Sequence, residues 1–369
     1  MSETPTRLAW LSDTHLGYRQ YGLARRQTDF SLALEGALAD IHKQGIRLVL
    51  NTGDLLHSNR PGADTMADVQ RIHAWLVAQQ MVMLVIPGNH DRALDEHHWI
   101  HVVNPGNTPA GIVLLDEETK QWGRLQIFGI GHLPKERFLG YSFPEWVDII
   151  MCHQAVVEFI NFESASALKI AELPLSRARA VLLGDIHITD VRHVDGVLVG
   201  YPGSTESNSA SEPDQKHWVE LLVPETGQIE FKLHPIVTRP VVRAEVNRIE
   251  DVTALVARAT KEHRPPVIHV IYDASVPDLQ SVLLRELNPD RYVLRLEPKI
   301  IQPGLRQGTS QPEAGEAADI KPEMILRDMI NDDPALYEVA AGLVRADNNP
   351  AAVLSAFIDR RLQEIQAAA

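Results

Sequence analysis

From Arg7 to about Ile236, short apolar runs alternate with helical stretches or polar turns, and this alternation is what most narrows the fold. The clearest runs are Arg7 to Ser12, Leu48 to Asn51, Met81 to Ile86, Leu125 to Ile130, Val147 to Cys152 and Ala180 to Leu183. All are strand-like, and most lead into a polar cluster. Between them, Asp29 to Gln44 and Asp64 to Ala78 carry apolar residues at helical spacing. Asp195-Gly196 marks a hairpin turn. A second turn, Pro224 to Gly227, joins the strand-like runs His217 to Val223 and Gln228 to Leu233. An α/β sandwich over residues 1–236 is expected.

A second unit is expected over 237–300, with Val241 to Val246, Val267 to Tyr272 and Tyr292 to Leu296 as strands around two helices, a small α/β cap. Residues 301–320 follow as a linker, because Gln302 to Ala317 is rich in Gly, Pro, Ser, Thr and Glu. Residues 321–369 read as a helical C-terminal tail. Its last helix opens with Asn349 and Pro350 and carries Leu354, Phe357, Ile358, Leu362 and Ile365 on one stripe.

The chain has 369 residues, enough for two or three units around a sizeable core. Cys152 is the single cysteine, which excludes an intramolecular disulfide and a cysteine-rich zinc site and points to a reducing, cytoplasmic setting. Neither a secretory signal nor a membrane span is visible in the sequence. Sixteen histidines point towards metal chemistry. The net charge of -14 argues against autonomous binding of nucleic acid, whose recognition normally uses a basic face. It argues less against phosphodiester chemistry, where bound cations and a partner subunit can supply positive charge.

Five clusters of oxygen and imidazole ligands stand at the exits of the apolar runs: Asp13-Thr14-His15, Gly53-Asp54, Gly88-Asn89-His90-Asp91, His153 and Asp185-Ile186-His187. Singly, Asp13-Thr14-His15 and Gly53-Asp54 read more readily as turn or cap residues and His153 as an ordinary core or surface histidine, while Gly88-Asn89-His90-Asp91 is more selective because it joins an amide oxygen, an imidazole and a carboxylate directly after an apolar strand. Asp13/His15 and Asp185/His187 are, however, i, i+2 pairs, whose side chains leave an extended chain on the same side. Open α/β sheets bind ligands at their carboxyl ends, so the repetition of this placement marks one site.

Taken in order, these clusters resemble the motifs of the calcineurin-like metallophosphoesterases. Asp13-Thr14-His15-Leu16-Gly17-Tyr18, Gly53-Asp54-Leu55-Leu56-His57 and Tyr201-Pro202-Gly203-Ser204-Thr205 further resemble the SbcD branch of double-strand-break nucleases. The resemblance implies a β-sandwich flanked by helices and two divalent cations, with Mn²⁺ the expected ion. Asp13, His15 and His187 would hold one, Asn89 and His153 the other, and Asp54 would bridge them. Phosphodiester hydrolysis would proceed by a hydroxide activated between the two metals. His90 resembles the family's catalytic histidine, with Asp91 orienting its ring, and His57 a second, substrate-positioning one. The resemblance also implies DNA as substrate, an SbcC-like coiled-coil ATPase as partner and a homodimer.

Asp185 departs from the branch, which normally has histidine there. The substitution gives the site one more negative charge, while an aspartate still offers oxygen to Mn²⁺ directly or through water. Two other functions therefore compete with a DNA nuclease. One is a phosphodiesterase or phosphatase acting on small nucleotides or phosphoproteins, although Asp54-Leu55-Leu56-His57 lacks the Asp-Arg-Gly element typical of protein phosphatases. The other is a weakly active DNA-end-binding scaffold. His97, His98 and His101 read as a solvated face, His193 and His217 have no assigned role, and Tyr18 offers a ring for base stacking or for packing.

Overall fold

The structure, a computed structural model, describes residues 5–92, 99–160, 166–209, 212 and 215–299. Four parallel strands open the chain: β1 (Thr6–Leu11), β2 (Leu48–Asn51), β3 (Val82–Val85) and β4 (Gly111–Leu114). Next come β5 (Glu118–Trp122), β6 (Leu125–Ile130), β7 (Val147–His153), β8 (Ala178–Gly184), β9 (Asp190–Val194) and β10 (Val197–Tyr201). They form a second sheet in the order β5-β6-β7-β8-β10-β9, with the antiparallel strands β5 and β9 at its edges. The chain then returns to the first sheet as β11 (Lys216–Val223) and β12 (Glu230–Ile236), completing the order β12-β11-β1-β2-β3-β4. The α/β class and the two large sheets agree with the sequence reading.

Strand periodicity decides where each side chain goes. In β1, Leu8 and Trp10 point between the sheets, where they join Leu48, Leu50, Ile127, Ile149, Met151 and Leu182. Ala9 and Leu11 point the other way, into a core shared with α1 (Ala24–Lys43) and α2 (Ala63–Ala78). The central strands are thus apolar on both faces, which is why they read as unbroken apolar runs rather than as alternating ones. Two short helices, α3 (Ile100–Val103) and α4 (Lys135–Leu139), fill connections.

One helix differs from its expected bounds: α1 begins at Ala24 rather than Asp29. Asp29 is not a cap. Its buried carboxylate accepts from Arg26 at 2.7 Å, from Arg239 at 2.5 and 2.8 Å and from Arg264 at 3.3 Å.

After residue 240 the chain forms a parallel sheet of β13 (Val241–Val246), β14 (Val267–Asp273) and β15 (Val293–Lys299). The connections are α5 (Ile249–Ala259) and α6 (Leu279–Glu286), and both pack on it through a separate core that includes Val252, Leu255, Ile268, Val270, Leu279 and Leu283. By internal contacts the chain divides into residues 1–301 and 302–369. The second of these, with the linker and helical tail expected from sequence, lies outside the described residues, as do His97 and His98. No helix among the described residues is long and apolar enough to cross a membrane.

Candidate metal centre

The loops leaving β1 and β2 are joined backbone to backbone. Asp13 N–H donates to the Gly53 carbonyl at 3.1 Å, His15 N–H to Asp54 at 3.0 Å and Leu16 N–H to Leu55 at 2.9 Å. To make these bonds the chain takes left-handed φ at Asp13 (51°), His15 (45°) and Asp54 (50°), and Asp185 after β8 does so too (100°). Left-handed backbone is uncommon outside glycine, although aspartate and histidine adopt it more readily than most residues, and such conformations concentrate at functional sites. Glycine is required where the loops nearly touch. A Cβ on Gly88 would lie 2.0 Å from Asp54 Oδ1, and one on Gly53 would lie 2.3 Å from His153 Nδ1.

Within this frame, every residue singled out as a ligand reaches one place. Asp13, His15 and His187 present ligand atoms within 4.8 Å of one another, and so do Asp13, Asp54 and His153. Asp54 Oδ2 lies 3.8 Å from His15 Nε2 and 3.5 Å from His153 Nε2, between the two groups. Asn89 Oδ1 is 3.0 Å from His153 Nε2, and Asp185 Oδ1 is 3.8 Å from the same atom. The Asp185 N–H faces both oxygens of Asp13, at 3.2 and 3.3 Å.

The donor set fits divalent cations. His153 Nδ1–H donates to the Thr52 carbonyl at 2.8 Å, so in the neutral ring the lone pair is on Nε2, which faces Asp54 and Asn89. His15 Nε2 and His187 Nε2 stand 3.2 Å apart, a separation at which two lone pairs repel unless a proton or a cation lies between them. Protons take that part in the electrostatics of the metal-free chain. Burial pushes the Asp13 carboxyl up to about 6 although His153 and His187 pull it down. For His153, burial acts to lower the pKa, but the charges of Asp54, Asp13 and Asp185 raise it well above the usual imidazole value. Asp54 shows the converse: burial acts upward, yet His153 and His15 hold the carboxyl below its ordinary range.

The two histidines expected to touch substrate lie at the mouth, where His90 is exposed and His57 half-buried. His90 Nδ1–H donates to the His57 carbonyl at 3.2 Å, and the two rings stack with centroids 5.1 Å apart. Tyr18 stacks on the other side of His57 at 4.0 Å and meets Phe30 edge-on, so packing rather than a free base platform is its role in this structure. Asp91 differs from expectation. Its carboxylate does not orient the His90 ring; it is buried and accepts from Gly88 N–H at 2.7 Å and Leu56 N–H at 3.1 Å, bracing the loop instead. Burial, with the Asp54 charge, raises this carboxyl to about 7.

Sequence reasoning missed two groups. Glu212 binds Nδ1 of His187 at 3.0 Å, and His132 Nδ1–H donates to the His153 carbonyl at 3.2 Å. His132 follows an apolar strand exit, a signal like that of His153. Glu212 stands in a run of polar residues without periodicity and had no such signal. His101 is exposed, and His193 and His217 contact Ile229 and Thr189 away from the cluster.

Comparison with known proteins agrees with this geometry. The profile of the Calcineurin-like phosphoesterase superfamily domain matches residues 7–221, more than half of the chain. The DNA double-strand break repair protein Mre11 of Haloferax volcanii is 30% identical over 252 residues, covering 67% of this chain and 56% of that protein. Mre11 of Methanosarcina mazei is 26% identical over 300 residues, 78% of this chain and 48% of that protein. Mre11 of Sulfurisphaera tokodaii is 27% identical over 314 residues, 76% and 77% of the two chains. The chain thus spans about half the length of the first two relatives. With the motifs, the sandwich and the profile in agreement, the chain belongs to the calcineurin-like phosphoesterase superfamily.

Proposed function

We propose that this protein is a metal-dependent DNA nuclease, an exonuclease and endonuclease that processes DNA ends for repair. The observation that carries this reading is the convergence of Asp13, His15, Asp54, Asn89, His153, Asp185 and His187 at the carboxyl ends of β1, β2, β3, β7 and β8. The similarity to Mre11 proteins over 67% and 78% of this chain supports DNA as the substrate class. Asp13, His15 and His187 would hold one divalent cation, Asn89 and His153 the second, with Asp54 shared and Asp185 on the His153 side. Mn²⁺ suits this mixture of imidazole and oxygen donors. Two such cations acidify water and offset the charge of a phosphodiester.

The chain's own residues would do the rest. His90 keeps Nδ1–H on the His57 carbonyl, so the second proton of its imidazolium form sits on Nε2, from which it would pass to the leaving oxygen and leave a neutral ring. His57, held between Tyr18 and His90, positions the substrate, and Asp54 fixes the His90 backbone through a 2.9 Å bond. Residues 237–300 would act as a cap, 301–320 as a linker and 321–369 as a tail docking on the coiled-coil base of an SbcC-like ATPase. A homodimer in the cytoplasm completes the reading.

The carboxylate of Asp185 beside His153, which adds negative charge where a phosphate would approach, favours, as the second reading, a weakly active scaffold that binds DNA ends. One comparison separates the possibilities: linear duplex DNA, a cyclic nucleotide and a phosphopeptide, each incubated with and without Mn²⁺. Mn²⁺-dependent turnover of DNA alone is expected. Turnover of the nucleotide or phosphopeptide alone overturns the proposal, and DNA binding without turnover selects the scaffold.

A further inference from the structure

Glu212 reaches the metal centre from behind. Its Oε1 is 3.0 Å from His187 Nδ1, while Oε2 accepts from Lys216 Nζ at 2.6 Å and from Asn208 N–H at 3.2 Å. Lys216 is itself buried and fixed by two more bonds, to the His187 carbonyl at 3.1 Å and Ser204 Oγ at 2.9 Å. A long side chain held at three points has one rotamer. The ammonium therefore sets the carboxylate, and the carboxylate faces one ring nitrogen.

An ionised carboxylate only accepts hydrogen bonds, so Oε1 pairs with Nδ1 only when Nδ1 carries the proton. In the neutral ring that leaves the lone pair on Nε2, the atom 3.2 Å from His15 Nε2 and 4.0 Å from Asp13 Oδ1. The Asn208 amide is compatible with this tautomer only when turned over: Nδ2 lies 3.1 Å from the same Nδ1, Oδ1 has no partner among the described residues, and exchanging the two gives the Nδ1–H a second acceptor. His153 has its Nδ1–H fixed by a neutral carbonyl, that of Thr52. The two halves of the site are thus built differently, one with a backing charge and one without.

We propose that Glu212, anchored by Lys216, is the positioning residue that fixes the tautomer of His187 and directs Nε2 to the cation position shared with Asp13 and His15. The cation part of this assignment rests on the metal-centre reading above; the tautomer part does not. Outer carboxylates of this kind orient imidazole ligands and make them more basic, and their loss commonly weakens metal binding about 10- to 100-fold.

The test compares the wild-type chain with Glu212→Ala and the isosteric Glu212→Gln. Nitrogen NMR of the imidazoles, on chelator-treated protein at a pH where His187 is neutral, should show Nδ1–H at His187 in the wild type and a shift towards Nε2–H in Glu212→Ala. Calorimetric titration with Mn²⁺ should show one of two sites weakened about 10- to 100-fold and the other unchanged. Glu212→Gln, whose amide oxygen still accepts but carries no charge, should lose less at that same site, and it serves if Glu212→Ala does not fold. An unaltered His187 tautomer overturns the proposal. So does equal weakening of both sites together with a lower melting temperature, the mark of a purely structural role. If the wild type takes up no Mn²⁺, the metal reading fails and the tautomer alone decides the role of Glu212.

Discussion

The backbone N–H of His90 donates to Oδ1 of Asp54 at 2.9 Å. This bond ties the loop after β3 to the loop after β2, and it leaves Oδ2 of Asp54 facing His15 and His153. One carboxylate therefore serves both proposed cation positions and also seats the histidine proposed for proton transfer. Asp54→Ala should lose both metal ions by elemental analysis. Full metal content in that variant would rule out a bridging carboxylate.

His90 itself contributes no atom to the two clusters centred on Asp13. His90→Ala should keep near-normal metal content while hydrolysis falls by about 10² to 10⁴, the usual scale of general acid–base help. Metal loss as deep as that of Asp54→Ala would make His90 a ligand, a role open to it through its grouping with His15 and His57.

Asp185 is the departure from the pattern that the sequence resembles, and its Oδ1 stands 3.8 Å from His153 Nε2. Asp185→His removes a negative charge from the approach of phosphate while keeping a donor for the cation. Hydrolysis should rise or shift its metal preference, with metal still bound. Identical rates with every divalent ion would place residue 185 outside the working site.

The backbone crossing at Gly88 is tight, with the Asp54 amide nitrogen 2.4 Å from a hypothetical Cβ. Gly88→Ala must displace the Asp54 loop. The expected result is destabilisation of about 1 to 3 kcal/mol, as for other overpacked interiors, together with reduced uptake of both ions. A variant with wild-type melting temperature and metal content would show that this crossing has slack.

Much of this site was legible because strands make ligand positions regular. Asp13 and His15, or Asp185 and His187, are separated by the two-residue period of an extended chain and follow runs apolar enough to be recognised. What escaped depended on partners distant in sequence. Asp29 resembled a helix start, yet its charge is absorbed by Arg239 and Arg264. Asp91 was expected against the imidazole of the adjacent His90, but two backbone N–H groups claim it, and backbone donors have no signature in a sequence. Glu212 acts through Lys216 and His187, and nothing in its own segment marks it.

The protons held in the metal-free site make stability depend on pH with a definite sign. Unfolded imidazoles are largely deprotonated above about pH 7.5, a unit past their ordinary value, and unfolded aspartates are ionised well below it. In the folded chain His153 and His187 have raised pKa values, and Asp91 is raised to about 7, so above about pH 7.5 the folded state still holds protons that the unfolded state has released. His15, His57, His73, His132 and His217, whose values are lowered, are neutral in both states there and drop out. Stability must then fall as pH rises from about 7.5 through the folded values. Saturating Mn²⁺ should reverse the slope, since a cation replaces those protons and binds better as pH rises. Melting temperatures measured from about pH 7.5 upward, with chelator and with Mn²⁺, check both signs. A chelator series that is flat or rises with pH would mean that the cluster holds no such protons, and with that the electrostatic case for a cation site would go.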